Sequence, residues 1–189
     1  MNKNMIYIIA AVVAAVVIIA GVKYSGNESA YSPSETVSVP DSIQPLAVTW
    51  KSYELKDVVT GNSFKISDYA GKPVVLTTFD TNCKLCLEQQ NNMDSLKGKL
   101  PNTVLISLDV STTEKEVALK DYLSRNSFIE WYTSFSTSSF TEKLVSEFGS
   151  EITKVEFAPI ILICPDQKAK LLVSGVKSST KLQTEIENC

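Results

Sequence analysis

The sequence holds four cysteines and no histidine, so sulfur is its only side-chain chemistry suited to redox work or soft-metal binding. Two of the four, Cys83 and Cys86, stand three positions apart, just after the β-branched apolar run from Val74 to Phe79 and the polar turn Asp80, Thr81, Asn82. The run has the composition of a buried strand. Downstream, Cys86, Met93, Leu96 and Leu100 fall on one face at helical spacing, which predicts a helix ending at Pro101-Asn102. Three residues is nearly one helical turn. The first sulfur is therefore expected at the helix N-terminus, beside unpaired backbone N–H groups and the positive end of the dipole. Those groups favour a thiolate, the species that attacks disulfides. The second sulfur lies one turn inward, close enough to close a ring with the first. This is the pattern of a redox pair.

Two other chemistries suit the same spacing. Cys-x-x-Cys can be half of a tetrahedral zinc site, and it can be an inert structural disulfide. The chain has no second Cys-x-x-Cys, and Cys164 and Cys189 are isolated. The expected role is redox, with no bound metal and no cofactor beyond the pair itself.

The elements around the pair read as an α/β domain over residues 47–189. Tyr53 to Val58 alternates like a half-exposed strand, Thr60 to Ser63 is a turn, and Phe64 to Ile66 alternates again. Gly71-Lys72-Pro73 breaks the chain before the buried run, and Val104 to Asp109 is a second buried strand. Ser111 to Glu114 has the form of a capping box, opening a helix with Ala118, Tyr122 and Leu123 on its apolar side. Phe128 to Tyr132 reads as a short strand. A helix from near Ser139 carries Leu144, Val145 and Phe148 inward and stops at Gly149. Ile160–Cys164 and Ala169–Val173 straddle the turn Pro165-Asp166-Gln167 as a hairpin, and a closing helix holds Leu182 and Ile186. Alternation of strands and helices followed by a hairpin predicts a mixed sheet.

Ahead of this domain the run from Met5 to Val22 is uncharged and dominated by Ile, Val and Ala. At roughly 18 residues it is long enough for a transmembrane helix. A cleaved signal peptide is the other reading; Ala20-Gly21 offers a small residue at a cut, but Ile18 fits the site poorly. An uncleaved anchor over residues 1–24 is expected, then a flexible tether over residues 25–46 rich in Ser, Glu, Pro and Asn. The balance of Lys3 against Lys23 favours, narrowly, a cytoplasmic N-terminus and an extracytoplasmic head. A tether of this kind holds the head near membrane-bound partners at raised local concentration. The formal net charge of -3 and the absence of a basic patch argue against nucleic acid as a partner.

From Tyr53 onward the order of motifs resembles the thioredoxin-fold family, and within it the membrane-anchored thiol–disulfide oxidoreductase branch (TlpA/ResA-like), near the redoxin and peroxiredoxin group. The resemblance runs through Leu55–Gly61, Ile66–Pro73, strand 74–79, Cys83/Cys86, strand 104–109 and Ala158-Pro159 before strand 160–164. It implies a thioredoxin-like mixed sheet flanked by helices, with Cys83 as nucleophile and Cys86 as resolving thiol. The implied partners are protein thiols or disulfides and a separate redox partner. It also implies a cis Ala158–Pro159 bond that exposes the Ala158 backbone beside the disulfide, for a substrate peptide to pair with. The chain departs from the family in several places. Asn82 replaces a common Trp, Lys84-Leu85 a common Pro between the cysteines, Thr77 a buried acid, and Gln89 a frequent Glu. Lys84 and Glu88 are the expected modulators of the pair; Asp80 and Glu88 are the candidate stand-ins for the missing proton acceptor, with a solvated surface carboxylate the favoured state of each.

Neighbouring functions fit less well. A peroxiredoxin needs Thr three before its cysteine, where this chain has Asp80, and a supporting Arg; the one arginine is Arg125. A Sco-type copper chaperone uses Cys-x-x-x-Cys and a distant His. A non-enzymatic module on the same fold, carrying a metal or binding a partner, is the remaining alternative. Cys164 inside an apolar strand reads as a buried inert thiol, and Cys189 as free or paired elsewhere; a bridge between them is not legible at this level.

Overall fold

The computed structural model describes residues 49–172 and 174–189. The anchor expected over Met5–Val22 and the tether over residues 25–46 lie outside the described residues. Among those described, no helix is long and apolar enough to cross a membrane.

The centre is β3, Val74–Phe79, with all six residues buried. An apolar, β-branched strand buried on both faces needs helices or loops over each of them, which is what the remaining elements supply. Beside it runs β4, Val104–Asp109, parallel and in register from Val74↔Val104 to Phe79↔Asp109. Beyond lies β5, Tyr132–Phe135, parallel to β4. On the other side β6, Ile160–Ile163, is antiparallel to β3, and β7, Ala169–Leu171, is antiparallel to β6. The order is therefore β5-β4-β3-β6-β7. A separate hairpin pairs β1, Leu55–Lys56, with β2, Ser63–Phe64. Buried Asp57 ties this hairpin to the edge of the main sheet. One carboxylate oxygen accepts the Thr133 N–H at 3.0 Å and the other accepts the Thr60 N–H and hydroxyl.

Helices α1 (Lys84–Asp94), α2 (Glu116–Arg125) and α4 (Ser179–Glu187) cover one face of the sheet. There Cys86, Met93, Leu119, Leu123, Leu182 and Ile186 pack with Val75, Phe79, Leu105 and Ile160. Helix α3 (Ser138–Phe148) and residues 50–66 cover the other. Phe140, Leu144, Trp50 and Phe64 meet Leu76, Ile106 and Ile161 there.

Several expected boundaries move. The Ser111–Glu114 box caps nothing; α2 starts at Glu116 behind Lys115, which makes no side-chain cap. Its residues are already committed. The Ser111 N–H donates to Asp109, the Thr113 N–H to the Ser111 hydroxyl, and the Glu114 carboxylate accepts from Thr81. In consequence Leu119 faces inward and Ala118 is exposed. The strand expected at Phe128–Tyr132 begins only at Tyr132. Ser127 takes φ 62°, and Phe128 and Trp131 stack at 4.7 Å under α2. Helix α1 ends at Asp94, and tight turns carry the chain on to Leu100. The β6–β7 turn falls where expected, with Gln167 in the left-handed region at φ 68°.

Candidate active site

Cys83 is the N-cap of α1: its sulfur accepts the Cys86 N–H at 3.1 Å. A side chain that accepts from the first turn satisfies a donor the helix cannot satisfy itself. The two sulfurs are joined as a disulfide with Cα atoms 5.2 Å apart. Cys86 is fully buried and Cys83 half-buried, so only the first sulfur faces solvent. It does so in an open groove of about 360 Å³ lined by Asp80, Asn82, Lys84, Leu85, Val155 and Glu156.

The carbonyl oxygen of Val155 stands 3.4 Å from the Cys83 sulfur and 3.2 Å from that of Cys86. A disulfide has no proton to give this oxygen; a thiol does. After reduction it favours S–H over S⁻. Cys83 is compensated by the N–H of Cys86 and the helix terminus, whereas Cys86 faces the carbonyl from a buried position. The two sulfurs are thus chemically unequal, with the thiolate favoured at Cys83.

The expected modulators Lys84 and Glu88 are both exposed, and neither forms an ion pair among the described residues. Asp80 builds the turn: its carboxylate accepts the Asn82 N–H at 2.8 Å and its carbonyl the Cys83 N–H. Thr77, at the place of the family's buried acid, gives its hydroxyl to the Pro159 carbonyl at 3.1 Å. Ala158 and Pro159 follow on Val155, whose carbonyl faces the two sulfurs, but not in the expected conformation. No peptide bond among the described residues is cis. The chain reverses instead through Ala158 itself, in the left-handed conformation at φ 46°, ψ 59°. Its backbone is not free for a partner either. The N–H donates to Val155 at 2.9 Å, and the carbonyl accepts from the Lys177 ammonium at 3.0 Å.

Sequence reasoning passed over Val155, Lys177 and Asp109, and named Gln89 only as a departure from the family, not as the buried partner of Lys177. Gln89 holds the Lys177 backbone in both directions, accepting its N–H at 2.7 Å and donating to its carbonyl at 3.2 Å. A lone lysine in a Ser- and Gly-containing loop carries no signal of burial. The far pole differs as well: Cys164 is not a free thiol but is bridged to Cys189, with Cα atoms 5.3 Å apart. Antiparallel β6 and the end of α4 bring the two together. No group of three or more His, Cys, Asp or Glu among the described residues is arranged to hold a metal.

No family model matches this sequence, and no curated protein does. Solved structures do. A thiol:disulfide interchange protein of the thioredoxin family from Chlorobium tepidum superposes with a TM-score of 0.62 at 16% identity, over 72% of this chain and 91% of that one. The fold is thioredoxin-like. A secreted Mycobacterium tuberculosis disulfide oxidoreductase homologous to E. coli DsbE gives 0.59 at 10% identity, covering 74% and 98% of the two chains. The exposed lipoprotein thioredoxin of Streptococcus pneumoniae gives 0.57 at 18%, covering 72% and 98%. On this thioredoxin-like scaffold the Cys83–Cys86 pair stands where β3 feeds α1, at the C-terminal end of the central strand.

Proposed function

We propose that this chain is a thiol–disulfide oxidoreductase acting on protein thiols or disulfides, tethered to a membrane by residues 5–22 with its head outside the cytoplasm. One observation carries the activity: a closed Cys83–Cys86 disulfide whose outer sulfur caps a helix in an open groove while its inner sulfur is buried. The thioredoxin-like neighbours, several of them named as disulfide oxidoreductases, support the same reading. So does the apolar run ahead of the domain, for the tether.

In the oxidising direction a substrate thiolate attacks Cys83. The Cys83–Cys86 bond breaks, its electron pair leaves on Cys86, and a mixed disulfide forms. A second substrate thiolate then attacks that mixed disulfide, expelling Cys83 as the N-capping thiolate; substrate loses two electrons and the pair gains them. Reduction of a substrate runs the same steps in reverse, with Cys86 resolving. A separate redox partner resets the pair.

Trapping tests the assignment. Cys86→Ser, reduced and mixed with a disulfide-bearing protein, accumulates a covalent complex that reductant dissolves, because the resolving sulfur is gone. Cys83→Ser accumulates little, since Cys86 is buried. Equal trapping by the two variants would overturn Cys83 as nucleophile, and no trapping by either would overturn the activity.

A further inference from the structure

Lys177 lies between β7 and α4 and is 7% exposed. Two short routes join it to the disulfide. Through its ammonium it holds the Ala158 carbonyl, and the Ala158 N–H holds the Val155 oxygen that stands 3.2 Å from the Cys86 sulfur. Through its main chain it is clamped by Gln89, which sits on α1 one turn beyond Cys86. Among the described residues no carboxylate pairs with this buried ammonium, a costly state, and burial lowers the Lys177 pKa to about 8. The charged groups around it do not relieve this. Lys170 on β7 and Lys181 and Glu185 on α4 line the same groove, but Glu185 is engaged by both lysines at 2.7 Å. Glu88 on α1 and Glu156 on the Val155–Pro159 loop are exposed.

The anion that lacks compensation belongs to the reaction. When the disulfide opens, negative charge forms on Cys86, buried and facing a carbonyl. We propose that Lys177 is the positioning residue for this step. Its ammonium, acting through Ala158, holds the Val155–Pro159 loop behind the sulfur pair and offsets the charge that forms on Cys86. The inference rests on the oxidoreductase reading and adds to it a residue outside the Cys-x-x-Cys element.

The test uses the oxidised full-length chain and dithiothreitol. One thiolate of the reagent attacks Cys83 and the electron pair leaves on Cys86. Its second thiolate then closes the reagent's own ring, expelling Cys83, so the reagent is oxidised by two electrons and the pair reduced by two. The rate is read by alkylation and peptide mapping of Cys83 and Cys86, and divided at each pH by the reagent's thiolate fraction. With no histidine in the chain and all four cysteines bridged, no imidazole or thiol of the protein titrates between pH 7 and 9.5. The wild type should lose rate as pH rises through about 8, where the ammonium is discharged. Lys177→Met should be slower at pH 7 by about 10-fold and lack that step. Lys177→Arg, charged throughout, should keep the pH 7 rate to within about 2-fold and lose the step. A Lys177→Met profile that overlays the wild type overturns the proposal. Should that variant not fold, a step that persists unchanged in Lys177→Arg overturns it instead. A wild-type pair that dithiothreitol cannot open at any pH overturns the oxidoreductase reading itself.

Discussion

Asp109 closes β4 fully buried, with one oxygen accepting the Ser111 N–H at 2.8 Å and the other without a hydrogen-bond partner among the described residues. Burial, reinforced by Glu114 and Asp80, pushes its pKa from 3.8 to about 6. The folded state therefore holds this proton more tightly than the unfolded chain does. Its contribution is fully present below about pH 4 and is lost as pH rises through 6, a cost of roughly 2–3 kcal/mol at neutral pH. Asp109→Asn should be the more stable protein at pH 7.5 in urea unfolding and lose that advantage at pH 4. Glu185, held near 2 by Lys170 and Lys181, tilts the wild-type curve the other way, so the difference between the two proteins is the quantity to read. An equal gap at both pH values would detach the slope from Asp109. At this scale the sequence was informative where spacing is local. Cys83 and Cys86 are legible because three residues make almost a turn. Val155, Gln89, Lys177 and Asp109 are not, because burial and contacts across 69 and 88 positions decide their roles.

Among the elements, α4 is fixed at both ends by unlike means. At its start the Ser178 hydroxyl caps the Lys181 N–H, directly after Lys177. At its end Cys189 is bridged to Cys164 across 25 positions. Closing a loop of that length removes unfolded-state entropy worth about 3–4 kcal/mol in the chain-entropy model. The double variant Cys164→Ser/Cys189→Ser should lose much of that in denaturant unfolding, with Cys86→Ser trapping unchanged. Loss of trapping with full stability would make the far bridge part of the chemistry. Elements with strong periodicity, β3, β4, α3 and the β6–β7 turn, were legible. The Ser111–Glu114 box was not, because the same hydroxyls and carboxylates serve equally in turns. Phe128 to Tyr132 failed for a related reason: an aromatic run looks alike whether it pairs as a strand or stacks beneath a helix.

The fold class of the described domain could be read from order. Buried strands alternating with amphipathic helices, then a hairpin, restrict the sheet to a few mixed topologies, and the resemblance to the thioredoxin-fold family pointed to one of them. What order does not carry is the pose of the Val155–Pro159 loop, where a left-handed Ala158 takes the place of the expected cis proline. The proposed tether belongs to this scale too. On intact cells, a membrane-impermeant protease should cut within residues 25–46 and release a head of the size of residues 47–189. A head protected until lysis would place the chemistry in the cytoplasm.

The antiparallel seat of β6 against β3 also has a consequence in time. Thr77 finds its partner Ile160 only after 83 further residues have been made, whereas β4 is at hand much earlier. During synthesis the Cys83–Cys86 ring can close as soon as α1 emerges, before Val155, Ala158 and Lys177 exist. The pair is thus oxidisable before it is seated. Whatever reactivity the finished groove imposes on it arrives late, delivered by the C-terminal quarter of the chain when β6 pairs along the open edge of β3.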